Sequence, residues 1–309
     1  MRTNDLSQRR WQALVWLAMV AVVMARVVAI AVGQEPPPAA YPNGSLLVEP
    51  SDLKKSIDTS SVLVIDVRPV DAYRKGHLPD AVPLDIEQWT KHSRKSGALK
   101  DAKLWAALAG SLGVQSDKPV VIYDDTVTPN AARAWWLLRY VGHPDVRLLN
   151  GGLAGWKTSG GTLGDDDVPI AKAKFEPKFQ SHMLADAEMV RRVIGQSGSC
   201  LVDSRSDAEY TGQQAQGPRG GRVPGAKHLE WKEFLNTRGQ FKSADEIAKL
   251  LTERKIPADE TAITYCQSGG RAALDAFALE LMGFKNVKNY YGSWSEWSAD
   301  EKLPVEKGK

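Results

Sequence analysis

The chain is written twice, and that constrains its fold more than any other feature. Ser61 to Arg68 is a short β-branched run closing on Asp66-Val67-Arg68, and Ser199 to Arg205 closes in the same way on Asp203-Ser204-Arg205. Tyr73 and Tyr210 follow at similar distances. Gly76 to Ala81 then answers to Gly221 to Ala226, each with a proline in its fourth place. Val120 to Asp124 answers to Ala262 to Cys266. Each is followed by an apolar helical stretch and a glycine, Ala131 to Tyr140 with Gly142 and Ala272 to Met282 with Gly283. Gly151 to Trp156 answers to Gly292 to Trp297. Self-similarity of this kind decides how many times a unit folds, so it precedes any local reading. Short apolar runs ending in loops predict buried parallel strands. Strands alternating with helical stretches predict an α/β unit with a mainly parallel sheet flanked by helices. Two copies predict two such domains, and 309 residues is a natural length for the pair.

The predicted organisation is a leader at 1–33, a Pro-rich spacer at 34–44, a first domain at 45–160, a linker at 161–183 and a second domain at 184–305. Ser159 to Asp167 is turn-rich and without periodicity, which ends the first copy; Val168 to His182 is expected to run extended. Asp186 is placed to cap a helix from Ala187 to Ile194. Thr211 to Gly220, rich in glycine and glutamine, is an insertion in the second copy, expected as a surface loop near the mouth of a site. At the N-terminus, Arg9 and Arg10 precede an apolar run from Trp11 to Val32 that only Arg26 interrupts, with small residues at Ala29 and Ala31. This reads as an export signal. The alternatives are an uncleaved anchor, with Arg26 snorkelling, and a soluble apolar helix. Ser7 to Trp11 bears a weak likeness to a twin-arginine signal. The first two readings put the folded part outside the cytoplasm, in the periplasm or attached to the inner membrane. The net charge of +3 sits in the same place, because residues 1–31 hold four arginines against Asp5. The remainder is near neutral and has no basic patch of the kind that binds nucleic acid.

Two cysteines, Cys200 and Cys266, are too few for a disulfide framework, and neither they nor the five histidines show metal-ligand spacing. No metal and no cofactor is expected. Cys200 begins a strand whereas Cys266 follows the end of one. In parallel strands that separates them by roughly 13–17 Å, beyond the ~7 Å that a disulfide tolerates, so Cys200 is assigned to the core. Cys266 is different. Gln267, Ser268, Gly269, Gly270 and Arg271 lead from it into a helix, so it stands at the carboxyl end of a strand, where open α/β sheets place their ligands. The two glycines allow a tight turn that aims N–H groups at the sulfur. The helix N-terminus and Arg271 add positive charge. Such surroundings favour the thiolate, the nucleophilic form, and would equally hold the anionic outer sulfur of a persulfide. The bland alternative is an inert buried cysteine in a turn.

In order, the motifs Asp-x-Arg, Gly-x-x-Pro-x-Ala, Cys-x-x-Gly-x-Arg and the endings at Asn150–Trp156 and Tyr290–Trp297 resemble the rhodanese family. The duplicated form is similar to the thiosulfate and 3-mercaptopyruvate sulfurtransferases over about residues 45 to 305. The resemblance implies an α/β chain of two tandem rhodanese-like domains, the first inactive and the second catalytic. Asp124 holds the first-domain position matching Cys266, and its loop to Asn130 lacks the glycines and the arginine. The implied activity is transfer of sulfane sulfur from thiosulfate or 3-mercaptopyruvate to a thiol or cyanide through a Cys266 persulfide. The implied donor site is Gln267, Ser268, Gly269, Gly270 and Arg271, with Arg205 as a further contributor, in a monomer.

One departure stands out. Where such two-domain proteins often carry a donor-binding arginine, four residues after Arg205, this chain has Glu209. A free carboxylate there would repel an anionic donor, leaving Arg271 or Arg222 to bind it. Arg68 and Arg205 are otherwise expected to tie strand exits to neighbouring loops, Asp66 and Asp203 to serve in turns, and Trp135, Trp136, Trp156, Trp294 and Trp297 to pack. Two rival functions remain. A cysteine phosphatase would have five residues between Cys and Arg, against four here. A non-catalytic or carrier-type module that binds sulfane sulfur is kept open by Glu209.

Overall fold

Each half of the chain builds a five-stranded sheet whose strands are all parallel. The computed structural model describes residues 39–308. The leader expected at 1–33 lies outside them, and among the described residues no helix is long and apolar enough to cross a membrane. The first sheet comprises β1 (Leu47–Val48), β2 (Leu63–Asp66), β3 (Val82–Pro83), β4 (Val120–Tyr123) and β5 (Val146–Leu149), in the order β1-β5-β4-β2-β3. Its helices are α1 (Pro50–Asp58), α2 (Val70–Arg74), α3 (Ile86–Ser93), α4 (Ala102–Ser111), α5 (Pro129–Tyr140) and α6 (Gly152–Thr158). The second sheet comprises β6 (Leu184–Ala185), β7 (Ser199–Asp203), β8 (Lys227–His228), β9 (Thr261–Tyr265) and β10 (Val287–Tyr290), in the matching order β6-β10-β9-β7-β8. Its helices are α7 (Ala187–Val193), α8 (Asp207–Thr211), α9 (Ala244–Glu253), α10 (Gly270–Leu281) and α11 (Ser293–Trp297).

Both faces of each sheet are covered, which is why the strands read as unbroken apolar runs. Alternate residues serve different cores. In β4, Val120 and Ile122 face a core shared by the two domains, while Val121 and Tyr123 face one private to the first. In β9, Ala262 faces the shared core and Ile263 and Tyr265 a private one. Cys200 lies in the shared core, paired in register with Ala262, four residues before Cys266. Both thiols are free. Burial pushes the Cys200 thiol up to about 11, which keeps it protonated and inert.

The shared core is built on α5 and α10, which are apolar almost all round, as buried helices are. Both begin two residues earlier than the sequence suggested. Pro129 fits the first helical position after the N-cap Thr128, and Gly270 follows Gly269, whose φ of +85° turns the chain into the helix. Across the contact, Trp135 meets Phe277 edge-on at 4.9 Å and Trp136 stacks on Tyr291 at 5.0 Å. An ion pair between Arg139 and Glu280 closes the edge. The linker buries Phe175 and hydrogen-bonds along the first domain, with Lys178 N donating to Val141 O at 2.8 Å and Gln180 N to Tyr140 O at 2.7 Å. Because one core serves both domains, they should unfold together. Phe277→Ala is expected to cost about 3–5 kcal/mol in a single urea transition followed by tryptophan fluorescence. An early separate transition of one domain would contradict the shared core.

Candidate active site

Cys266 directly follows β9, and its Sγ accepts hydrogen bonds from Gly269 N at 3.1 Å and Ser268 N at 3.4 Å. The loop's carbonyls all have partners that hold them outward. Cys266 O accepts from Trp294 N at 2.9 Å and Gln267 O from Ser295 N at 3.0 Å. Ser268 O accepts from Arg133 Nη1 at 2.8 Å, and Gly269 O from Asn289 Nδ2 at 3.0 Å. In a planar trans peptide the C=O and N–H point in opposite directions, so holding the carbonyls out turns the N–H groups in. Ser293 adds a further restraint. Its φ of +56° is unfavourable for a residue with a side chain. The hydroxyl accepts from Cys266 N at 3.2 Å and donates to Tyr290 O at 2.7 Å, which holds it there. Both glycines are required by close approaches, and Gly269 by the turn as well. A Cβ on Gly269 would lie 2.7 Å from the Tyr291 ring, and one on Gly270 would lie 2.5 Å from Arg133 Nη2.

Two arginines are not placed as expected, and Arg205 takes the structural one of its two expected roles. Arg271 is engaged in a two-pronged pair with Glu209, Nη1 to Oε2 at 2.6 Å and Nη2 to Oε1 at 2.8 Å. Glu209 is therefore no free carboxylate. It is the third residue of α8, in a capping box with Ser206. Burial pushes its carboxyl up, but the Arg271 guanidinium and the Ser206 groups outweigh this and bring it down to about 2. Arg205 is 1% exposed and held by Asp203, by Gly221 O and over the Trp294 ring, so it braces the strand exit and is not presented to a donor. Arg222 is paired with Glu306 near the C-terminus, which removes it from the site. Asp66 and Asp203 accept from the backbone N–H two residues on and clamp Arg68 and Arg205, a turn role and an ion pair together.

The insertion at 211–220 reaches the reactive loop, where Gln267 Nε2 donates to Gln216 O at 2.7 Å. It is anchored by Arg219, which donates to Ser298 O, Leu303 O and Trp297 O. Cys266 is 1% exposed beneath this cover. One helical turn beyond Arg271, Asp275 is fully buried. Burial pushes its carboxyl well up, the Ser204 hydroxyl offsetting only part of this.

In the first domain, Asp124 occupies the position of Cys266. Its carboxylate accepts from Thr128 Oγ1 at 2.6 Å and Asp125 N at 2.7 Å, and burial pushes it up. A wide cleft lies at this loop, between Thr126–Thr128 and Asn236–Gln240, and no residue of the Cys266 loop lines it. Its size is no guide to the chemistry, because neither Asp124 nor Cys266 lines it.

Sequence reasoning did not find Arg133, Asn289, Tyr291 or Ser293. Arg133 left one signal, a lone cation within the apolar stretch from Ala131 to Leu138. The Gly292–Trp297 ending was recognised, but not the capping of the Cys266 and Gln267 carbonyls by its backbone.

The Glu209–Arg271 pair carries a pH signature. A carboxyl lowered from 4.5 to about 2 supports the fold in full above its ordinary value and loses that support as pH falls from about 4.5 towards about 2. Wild-type urea midpoints are therefore expected to drop through that window. Glu209→Gln should be less stable near neutral pH, since it leaves the half-buried Arg271 guanidinium without its partner, and should change less on acidification. Parallel acid profiles for the two proteins would disprove the assignment.

Comparisons with known proteins agree with this architecture. The family model described as "Rhodanese-like domain" matches twice, over residues 49–159 and 186–300. A putative thiosulfate sulfurtransferase of Haloferax volcanii is 35% identical over 248 residues, 77% of this chain and 86% of the relative. The 3-mercaptopyruvate sulfurtransferase of Escherichia coli K12 is 32% identical over 268 residues, 82% of this chain and 95% of the relative. The anaerobic ergothioneine biosynthesis enzyme of Chlorobium limicola superposes with a TM-score of 0.79 at 24% identity, covering 88% of this chain and 72% of that one, a likeness of fold. The repeated sheet order, the cysteine loop in the second copy alone and these matches together place the chain in the rhodanese family, in its tandem-domain form.

Proposed function

We propose that this chain is a sulfurtransferase that carries sulfane sulfur from thiosulfate or 3-mercaptopyruvate to a thiol or cyanide as a persulfide on Cys266. The observation that supports this most is the pair of inward N–H groups on Sγ, held in place by the outward carbonyls of Gln267 and Ser268. Converging backbone N–H groups form an anion nest, here sized for a single sulfur. In the first half-reaction the Cys266 thiolate attacks the outer sulfur of thiosulfate. The donor's S–S bond breaks, sulfite leaves with the electron pair, and Cys–S–S⁻ remains. With 3-mercaptopyruvate the C–S bond breaks, and the pyruvate enolate that leaves takes up a proton. In the second half-reaction cyanide or a thiolate attacks the outer sulfur, and Cys266 departs as the thiolate. A phosphatase is disfavoured by the four-residue spacing, and Arg271 is engaged by Glu209 as well as facing Cys266.

A second reading, a carrier that accepts and hands on sulfur without rapid turnover, is favoured by the same engagement of Arg271. The folded part is proposed to work outside the cytoplasm, on the strength of the basic and apolar first 33 residues. Fractionation of cells making the full chain tests that placement.

Cys266→Ser is expected to abolish thiocyanate formation with either donor, and retained activity would end the mechanism. Turnover separates the two readings. Many thiocyanates per Cys266 indicate the enzyme, and a single stoichiometric transfer indicates the carrier. Assaying thiosulfate and 3-mercaptopyruvate side by side decides the donor. Arg271→Ala strands the buried Glu209 charge near the site, so KM for an anionic donor should rise about tenfold or more, with a loss of stability of about 3–5 kcal/mol. Adding Glu209→Gln should restore part of both. If it restores neither, the pair does not govern donor access.

A further inference from the structure

We propose that Arg133, a side chain of the first domain, is a positioning residue for Cys266. By holding the Ser268 carbonyl it fixes the peptide whose N–H is donated to the reactive sulfur, so the domain without a cysteine sets the reactivity of the one that has it. This deepens the persulfide reading and rests on it for the meaning of that reactivity.

The central observation is a single peptide unit. Its oxygen, Ser268 O, lies 2.8 Å from Arg133 Nη1, and its nitrogen, Gly269 N, lies 3.1 Å from Cys266 Sγ. Rotating this unit by half a turn would withdraw the N–H and present the carbonyl oxygen to an anionic sulfur. Glycine at 269 leaves the backbone free to consider that alternative, since it carries no side chain to oppose it. The neighbouring carbonyls are held by groups of the second domain, Gln267 O by Ser295 N and Gly269 O by Asn289 Nδ2. Ser268 O is held from across the domain contact.

Arg133 is itself built into place. It is 7% exposed, and its Nη1 also donates to Tyr291 Oη at 3.0 Å and its Nη2 to Ser268 Oγ at 3.3 Å. Its guanidinium lies 5.5 Å from the centre of the Tyr291 ring. That ring is fixed by first-domain groups, stacking on Trp136 and hydrogen-bonding to Ser93 Oγ at 2.7 Å. Gly270 leaves the room the guanidinium needs.

Charge makes the arrangement pointed. Among the described residues Arg68, Arg205 and Arg271 each have a carboxylate, whereas the acceptors of Arg133 are a carbonyl and two hydroxyls. Buried cations ordinarily require a counter-charge. An anion on Cys266, polarising the shared peptide from its other end, supplies one.

The test is alkylation of Cys266 by iodoacetamide, followed by peptide mass at about pH 6 and about pH 10, on the full chain. Alkylation needs no sulfur donor. A wild type that forms no persulfide would sink the function and leave this test standing. In Arg133→Gln the rate near pH 6 should fall about tenfold, the worth of one hydrogen bond to a charged group. Near pH 10, above the ordinary thiol pKa, it should approach wild type. The kcat should fall in proportion with KM little changed. Arg133→Lys, which keeps the charge and one donor, should recover most of the loss. Tyr291→Phe removes one of the guanidinium's anchors without a large change of packing. It should fall about two- to threefold at the lower pH, and it keeps the question answerable if Arg133→Gln folds poorly. Equal rates in wild type and both variants near pH 6, or equal slowing at both pH values, would overturn the proposal.

Discussion

Helices α5 and α10 bury one another, and the rest of the molecule is arranged around that contact. Each is the helix that follows a strand's loop at the sheet's carboxyl end, so packing them together brings the two loop regions to one seam. The aromatic contact of Trp135 with Phe277 fixes the distance between the helices, and that of Trp136 with Tyr291 ties α5 to the segment that follows β10. Packing of this kind has few alternative arrangements of similar energy. Arg133 and Gly270 can then sit face to face at a separation that a single methyl group would forbid. The geometry of the reactive loop is therefore a consequence of interdomain packing as much as of the loop's own sequence.

The electrostatics follow a similar division. Asp66 with Arg68 and Asp203 with Arg205 are the same device in both copies, a carboxylate that takes the N–H two residues on and clamps the arginine above it. Buried pairs of this type are weak contributors to net stability, but breaking one is costly. They serve as braces rather than as binding groups. Glu209 and Arg271 pair beside the site, and the anion on Cys266 is held by backbone dipoles together with the Arg271 guanidinium, which also interacts with Cys266. Oriented amides hold a small anion without a mobile side chain having to be ordered around it.

The duplication makes most of the fold legible from the sequence alone. The central strands β2, β4, β7 and β9, of four or five residues, show themselves as apolar runs. The edge strands β1, β3, β6 and β8, two residues each, are too short for any periodicity to register. The nucleophile was legible for a related reason, since its surroundings, a strand end, two glycines and a helix start, are contiguous in the chain. What escaped was whatever depends on a partner far away in sequence. Glu209 reads as an exposed repulsive charge because Arg271 is 62 residues distant. Arg205 and Arg222 read as available because their carboxylates and carbonyl partners are visible only in the folded state. For Arg133 the repeat offers no hint, since the matching position in the second copy is Leu274, which is apolar.

The two copies have nonetheless kept a common frame for the loop. Leu153 N donates to Asp124 O at 2.8 Å and Ala154 N to Asp125 O at 2.9 Å, just as Trp294 N and Ser295 N serve Cys266 O and Gln267 O. Gly152 and Ser293, at matching positions, both take a positive φ. Pinning of the first two carbonyls is thus a property of the fold and does not by itself create a reactive sulfur. What the second copy adds is Gly269, whose positive φ lets the Ser268–Gly269 peptide turn its N–H to the sulfur, and donors for the carbonyls of Ser268 and Gly269. Asn289 comes from its own sheet, and Arg133 from the neighbouring domain. A side chain that reaches across the seam in one direction only, from Arg133 towards Ser268, makes an almost symmetric pair of domains chemically unequal. It gives a physical reason for the first domain to be retained in a protein whose proposed chemistry takes place entirely on the second.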